Sequence, residues 1–182
     1  MSKRPDSLKL VYWDSCVFLS MIEGDAERMD GIHSVLDEMK QGRIKIYTSV
    51  LSIAEVTFVK TEREKNALDK AVEERIAALW QPGSPFVLVD VFREIVIDSQ
   101  KLVRDSLKHG MTIKPPDAIH FATARRVGCS DFHTFDHFKD NEAALSKLFK
   151  VKIGYPSLPG RLPFGAKPKA KSPPSKPGKP KS

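Results

Sequence analysis

The sequence of 182 residues is long enough for one domain with a hydrophobic core and short for two. Its 41% hydrophobic and 29% charged residues are typical of a soluble globular protein, and no apolar run approaches the roughly 20 residues of a membrane span. The charged first ten residues predict no secretory signal, so we expect a cytoplasmic protein. Cys16 and Cys129 are too far apart for a disulfide framework or a cysteine-based zinc site, and both are expected to be small buried side chains.

The net charge of +7 belongs to the end of the chain. Residues 1–154 hold 23 cations and 23 acids, whereas residues 155–182 hold seven cations, no acid and eight of the 13 prolines. Such a proline content excludes a regular hydrogen-bonded ladder. We therefore predict a folded domain over 1–154 and a basic Pro/Lys-rich tail over 155–182, disordered from residue 165.

In chain order, short apolar runs alternate with helical patterns, which predicts an α/β fold with a parallel sheet. Strands are predicted over 8–13, 44–48, 86–91 and 131–135, with an edge strand over 151–153. Helices are predicted over 27–41, 49–61, 65–80, 93–109, 115–127 and 141–149.

Two acids stand out in the first half of the chain. Asp14 follows the first predicted strand directly, at the end of a parallel sheet where ligands bind, although it could simply cap the next helix. Glu55 lies on a predicted helix with apolar neighbours on most sides, and burying an unpaired carboxylate costs several kcal/mol. The alternative is a solvent-facing Glu55 that pairs with Lys60 or Arg63.

Two further acids follow the same pattern. Asp117 comes after two prolines in the first turn of a helix, and Asp136 comes just past the fourth strand. Each could be a helix cap. Asp140 could replace or assist Asp136, although a cap is the better interpretation for it.

Taken together, the four acids predict a cation site. Carboxylates gathered at one sheet edge repel each other and raise each other's pKa, and a divalent cation removes that cost. All-oxygen ligation favours Mg²⁺ or Mn²⁺ over zinc. Such a cluster suits phosphodiester hydrolysis by activated water.

The segments around these acids resemble the motifs of the PIN-domain nucleases. Residues 11–15 (VYWDS) and 48–56 (TSVLSIAEV) look like the opening of that family, 114–124 (KPPDAIHFATA) is similar to its third motif, and 134–138 (TFDHF) resembles its fourth. The motifs come in the family's order and span about residues 8–149. Within the family, the compact size is most similar to the VapC-type toxin ribonucleases of bacterial toxin–antitoxin pairs.

The resemblance implies a three-layer α/β/α fold with a small, mainly parallel sheet and a Mg²⁺- or Mn²⁺-dependent endoribonuclease. It implies an RNA substrate, with an antitoxin protein and a homodimer as candidate partners. The implied catalytic and metal-binding residues are Asp14, Glu55, Asp117 and Asp136. Ser15 and Thr134 would orient carboxylates or water around the metal.

Further candidates surround this set. His120 lies one helical turn after Asp117 and could reach the site, although a packed histidine is commoner. The predicted RNA-binding cations are Arg125, Arg126, Lys167, Lys169 and Lys171.

Two other function classes remain open. A catalytically idle RNA-binding or adaptor module would use the same fold, but loss of an acid would be its sign, and all four are present. A phosphotransferase with an aspartate nucleophile would need a second Asp two residues after Asp14, where this chain has Cys16.

Overall fold

Five short parallel strands form the centre of the protein. The computed structural model describes residues 8–138 and 141–157. The strands are β1 (Lys9–Trp13), β2 (Ile44–Ser49), β3 (Val87–Val89), β4 (Asp131–His133) and β5 (Lys152–Gly154), in the order β3-β2-β1-β4-β5. All four pairings are parallel, so β1 is the central strand and β3 and β5 are the edges.

Eight helices within the described residues connect and cover the strands. They are α1 (Ser15–Glu23), α2 (Ala26–Lys40), α3 (Leu51–Glu55), α4 (Lys60–Lys65), α5 (Lys70–Trp80), α6 (Arg93–Lys108), α7 (Pro115–Val127) and α8 (Glu142–Phe149). Among the described residues, none of these helices has the length and apolar character that crossing a membrane requires.

The alternation of side chains along β1 creates two separate cores. Val11 and Trp13 pack with apolar residues of α1, α2 and α5 on one face of the sheet. Tyr12 packs on the other face with residues of α6, α7 and α8. Because successive strand residues point to opposite faces, a strand with four consecutive apolar residues, here Leu10 to Trp13, must be covered on both sides. The predicted three-layer α/β/α fold is thus confirmed.

The strand order determines where a ligand would bind. From β1 the chain moves outward through β2 and β3, then crosses back to place β4 on the other side of β1. The connections therefore diverge between β1 and β4 and leave a crevice at the carboxyl ends of these two strands. Asp14 follows β1 there, and its backbone N–H donates to the His133 carbonyl at 3.0 Å.

One predicted helix is wrong. Residues 49–61 form two short helices, α3 and α4, instead of one, because Val56 adopts a non-helical backbone (φ −88°, ψ 70°). The apolar residues here do not share a helix face: Val56 and Val59 are buried, whereas Ile53 and Phe58 are 42% and 45% exposed. The sequence shows apolar density in this segment but not the turn that divides it.

The helix predicted over 65–80 begins later, at Lys70. Asn66 adopts a left-handed conformation that ends α4, and Asp69 caps α5 by accepting a hydrogen bond from the Ala71 N–H at 2.8 Å. The buried Glu62 carboxylate accepts from the backbone N–H groups of Val59 (3.0 Å) and Asp69. This acid therefore fixes both ends of the turn, as hydrogen bonding of a buried carboxylate requires.

Other boundaries differ by a few residues. The third strand shortens to Val87–Val89, the fourth ends at His133 rather than at residue 135, and the edge strand shifts by one residue to Lys152–Gly154. Just past the end of the fourth strand, the Thr134 hydroxyl donates a hydrogen bond to the Asp14 carboxylate. Helix α1 fills the interval between Asp14 and α2.

The chain leaves the sheet through a closely packed segment. After β5, Pro156 is buried against α2, where a side chain on Gly31 would place its Cβ 2.2 Å from the Pro156 carbonyl oxygen. Only glycine permits this approach of the two backbones. The predicted division at residues 154 and 155 stays a prediction, and the tail from residue 158, with its predicted disorder, lies outside the described residues.

Candidate metal centre

Asp14 directly follows the central strand β1, at the carboxyl end of the sheet, and is buried. Its Oδ1 accepts a hydrogen bond from the Ser15 N–H at 2.8 Å, so it caps α1, and its Oδ2 accepts from the Thr134 hydroxyl at 2.9 Å. The capping role predicted as an alternative is therefore real. Capping uses one carboxylate oxygen of Asp14 and leaves lone pairs on both for a further ligand.

Glu55, the last residue of α3, points toward Asp14. Its Oε2 accepts hydrogen bonds from the Ser15 hydroxyl and from His120 Nε2, the latter at 2.7 Å. Within the described part of the chain, no ion pair joins Glu55 to Lys60 or Arg63. Partial burial opposes ionisation, but the bonds from His120 and Ser15 outweigh it and lower the Glu55 pKa. Glu55 is thus held as an ionised carboxylate inside the crevice.

His120 connects the acids to the core. It is buried; Nε2 lies 3.7 Å from Asp14 Oδ1, and the Tyr12 hydroxyl lies 2.7 Å from Nδ1. Since a carboxylate can only accept, Nε2 carries the proton in the bond to Glu55. Burial by itself disfavours the charged imidazole, yet the Glu55 bond and the nearby carboxylates raise the His120 pKa. His120 is therefore both packed in the core and hydrogen-bonded to an acid of the site, so the two alternatives for this residue hold together.

Asp136 reaches the site from the loop after β4. Its backbone N–H donates to the Thr134 hydroxyl at 3.0 Å, and donor atoms of Asp14, Cys16 and Asp136 lie within 4.8 Å of one another. Desolvation and the Asp14 charge raise the pKa of the exposed Asp136. Asp140 lies outside the described residues.

Asp117 faces the same charges from the first turn of α7. Desolvation and the charges of Asp14 and Asp136 raise its pKa, while Lys114 lowers it. A carboxylate at a helix N-terminus normally gains from the helix dipole. The raised pKa shows that repulsion from the neighbouring acids and desolvation outweigh that gain.

The structure therefore brings Asp14, Glu55 and Asp136 together with Ser15, Thr134 and His120. Asp117 is close enough for the charges of Asp14 and Asp136 to act on it. Donor atoms of Asp14, Glu55 and His120 form a second group within 4.8 Å. The donors are mostly carboxylate oxygens, and desolvation together with neighbouring carboxylate charge raises the pKa of Asp117 and of Asp136. This donor set fits a divalent cation, which would neutralise the repulsion.

The two predicted RNA-binding arginines do not join this cluster. Arg125 and Arg126 occupy the last turn of α7, about 12 Å along the helix axis from Asp117 at roughly 1.5 Å per residue. The Arg126 guanidinium is 3.0 Å from Asp98 of α6. The RNA-binding assignment of both stays a prediction. Lys167, Lys169 and Lys171 lie outside the described residues.

Two residues that contact the site were not predicted from the sequence. Cys16, expected to be a buried apolar group, is half-buried, lies 3.2 Å from the Thr134 hydroxyl and accepts from the Phe135 N–H at 3.1 Å. Its position two residues after Asp14, in the first turn of α1, was the available signal. The sequence around Tyr12 carries no such signal, because the Tyr12 hydroxyl contacts the site only through His120, which is 108 residues away. Cys129, by contrast, is buried in the core as expected.

A PIN-domain family model matches residues 11–138 of the chain. The chain belongs to the PIN-domain family.

Solved structures agree with this assignment at the level of the fold. VapBC2 from Rickettsia felis, bound to a promoter DNA fragment, matches with a TM-score of 0.56 and 11% identity over 80% of this chain and 98% of that one. FitAcB from Neisseria gonorrhoeae matches with a TM-score of 0.53 and 17% identity over 80% and 97%. The predicted resemblance to VapC-type PIN proteins is confirmed by these neighbours. No curated protein gives a significant sequence match.

The cluster of carboxylates in this PIN domain should lower the stability of the metal-free protein. A like-charge pair a few ångströms apart costs on the order of 1 kcal/mol even in water. In the absence of metal, Asp117→Asn should therefore raise the melting temperature by roughly 2–4 °C. Added Mn²⁺ should stabilise the parent by about 3 kcal/mol at a hundredfold excess over the dissociation constant and stabilise the variant far less. Differential scanning fluorimetry measures both effects.

Asp98→Asn supplies the matched control, because Asp98 is an acid on the far surface that pairs with Arg126. It should leave the response to Mn²⁺ unchanged. A parent protein whose melting temperature ignores Mn²⁺, or an Asp117→Asn variant that responds as the parent does, would contradict a metal site at these acids.

Proposed function

We propose that this PIN domain is a metal-dependent endoribonuclease that hydrolyses RNA phosphodiester bonds with Mg²⁺ or Mn²⁺. The observation that carries the proposal is the placement of Asp14, Glu55 and Asp136, whose donor atoms belong to two close groups that share Asp14, together with the effect of the Asp14 and Asp136 charges on Asp117. Membership of the PIN family and the VapC-like fold support a nuclease in a toxin–antitoxin setting. The raised pKa of two of the acids supports a site that is completed by a cation.

The four carboxylates would hold the metal, which would lower the pKa of a bound water and neutralise charge on the phosphate. The groups around these carboxylates orient them by hydrogen bonds. Thr134 and the Ser15 N–H fix the Asp14 carboxylate through one hydrogen bond to each oxygen. Ser15 and His120 fix Glu55 in the same way. Ligating carboxylates that are themselves hydrogen-bonded stay oriented when the charge around them changes.

Tyr12 and His120 act as a positioning pair in this account. The Tyr12 hydroxyl anchors Nδ1 of the imidazole, which directs Nε2 at Glu55. Both side chains are buried, so their orientation is set by the core that packs against α7. The core of the domain thus determines the geometry of one edge of the site.

We further propose a protein antitoxin as partner. The structural neighbours VapBC2 and FitAcB support it through the shared fold. A homodimer and the cytoplasm remain the expected assembly and location. The catalytically idle RNA-binding or adaptor module is the competing function. It would bind RNA without cleaving it, so the four acids would have no catalytic role.

Substitution of the acids separates these two functions. Asp14→Asn and Asp117→Asn should each lower Mg²⁺-dependent cleavage of single-stranded RNA at least about a hundredfold, since each removes a charge worth several kcal/mol of transition-state stabilisation. Cleavage is measured by gel electrophoresis of end-labelled RNA with and without EDTA.

Asp98→Asn, on the far surface, should cleave as the parent does. If the two site variants retain full cleavage in preparations freed of contaminating nuclease, the mechanism is refuted. If the parent binds RNA and never cleaves it, the adaptor function is correct.

The tail should add RNA affinity without adding chemistry. Because residues 1–154 are neutral by count, the cations for a polyanion must come from elsewhere, and six lysines follow Phe164. Each cation that meets a phosphate of a single strand contributes about 0.7 to the slope of log affinity against log salt concentration. Truncation after Phe164 should therefore make this slope shallower by up to about 4 and leave the maximal rate unchanged.

Fluorescence anisotropy across a salt series measures the slope, and cleavage at saturating RNA measures the rate. An unchanged slope would remove the tail from RNA binding and leave it as a solubilising segment or a docking segment for an acidic protein.

A further inference from the structure

An aromatic cluster borders the acids at Asp136. Phe135 and His137 flank Asp136 in the chain, and Tyr155, just after β5, packs against both: its ring centroid is 5.7 Å from that of Phe135 and 5.9 Å from that of His137. The Arg28 guanidinium of α2 covers the Phe135 ring at 4.5 Å from its centroid. We name these four residues the aromatic edge.

We propose that the aromatic edge binds an unpaired base of single-stranded RNA beside the phosphate that the acids engage. This inference rests on the proposed nuclease function and adds to it a subsite for the nucleotide next to the cleaved bond. The class of ligand is a single-stranded RNA base, stacked on the Tyr155 ring.

The arrangement of the edge favours Tyr155 as the stacking surface. Arg28 already occupies a face of Phe135, and it is fixed there by bonds to the Ser20 hydroxyl (2.8 Å) and the Asp25 carboxylate (3.1 Å). Tyr155, in contrast, is 42% exposed. Single-stranded nucleic acids are held by such exposed rings together with nearby cations, because every base has a π-face.

Charge and proximity link the edge to the acids. The Arg28 charge acts on Asp136 and partly offsets the rise in its pKa. A cation whose charge acts on Asp136 can also balance a phosphate brought close to the carboxylates, which otherwise repel it. Since Phe135 and His137 are the chain neighbours of Asp136, a base on the edge belongs to a nucleotide adjacent to the acids.

The edge is also held in place before any ligand arrives. Pro156 is buried against Gly31 of α2, and the Tyr155 hydroxyl lies 3.2 Å from His137 Nε2. Backbone contact on one side and ring contacts on the other restrict the Tyr155 ring. A preorganised ring loses little conformational entropy on binding, which is what a stacking surface needs.

The test uses the full chain in EDTA, so that binding is measured without cleavage. Two probes are compared by fluorescence anisotropy: a short fluorescein-labelled oligoadenylate and an abasic RNA backbone of the same length and charge. Tyr155→Ala should weaken binding of the oligoadenylate about 5- to 100-fold and leave binding of the abasic probe unchanged. The salt slope should not change, because stacking releases no counterions.

Two further variants separate stacking from simple apolar contact. Tyr155→Phe keeps the ring and loses only the hydroxyl contact with His137, so it should keep most of the affinity for the oligoadenylate, whereas Tyr155→Leu should lose affinity as Tyr155→Ala does. Phe92→Ala is the matched control: Phe92 is 48% exposed and follows β3, three strands away from β4. It should bind both probes as the parent does.

Three results would overturn the proposal: equal loss for both probes, full affinity in Tyr155→Leu, or no effect of Tyr155→Ala. Circular dichroism and melting temperature confirm that each variant is folded. Failure of the nuclease proposal is distinguishable, since a protein that cleaves nothing yet shows ring-dependent binding of the oligoadenylate would keep the aromatic edge and lose only the catalytic role.

Discussion

Mutual repulsion among carboxylates at one edge of the sheet is the constraint around which this domain is organised. Asp14 is buried next to the central strand, and Asp117 and Asp136 have raised pKa values because desolvation and the charge of Asp14 oppose their ionisation. A fold that tolerates such a cluster must offset its cost locally, through hydrogen bonds, or through a ligand that carries positive charge. The hydrogen bonds are present here at Asp14 and Glu55.

The hydrogen bonds come from residues that the topology forces together. Because β1 and β4 are adjacent and parallel, Thr134 meets Asp14 at the point where both strands end. On the opposite side, α7 directs His120 at Glu55. These partners donate hydrogen bonds to the carboxylates of Asp14 and Glu55, whereas Asp117 and Asp136 have raised pKa values, a cost that a cation would relieve. The arrangement is therefore asymmetric, with one half satisfied by protein groups.

The sequence predicts the acids and the layers better than it predicts their surroundings. Four consecutive apolar residues followed directly by Asp14 form a local pattern, and it correctly places an acid at the carboxyl end of a buried parallel sheet. The break at Val56 is not a local pattern, since it depends on which apolar residues find a core. Tyr12 is part of the site through a contact with a residue 108 positions away, so only the folded chain reveals it. Cys16 had a local signal in its position two residues after Asp14, but its contact with Thr134 likewise depends on the fold.

A crystal structure of the protein grown with Mn²⁺, with anomalous data at the manganese edge, tests the central claim most directly. We expect an anomalous peak from manganese in the crevice between β1 and β4, with oxygens of Asp14 and of at least two of the other three acids roughly 2.0–2.6 Å from the ion. The absence of a peak there, or manganese bound elsewhere while the acids keep only their protein partners, would contradict it.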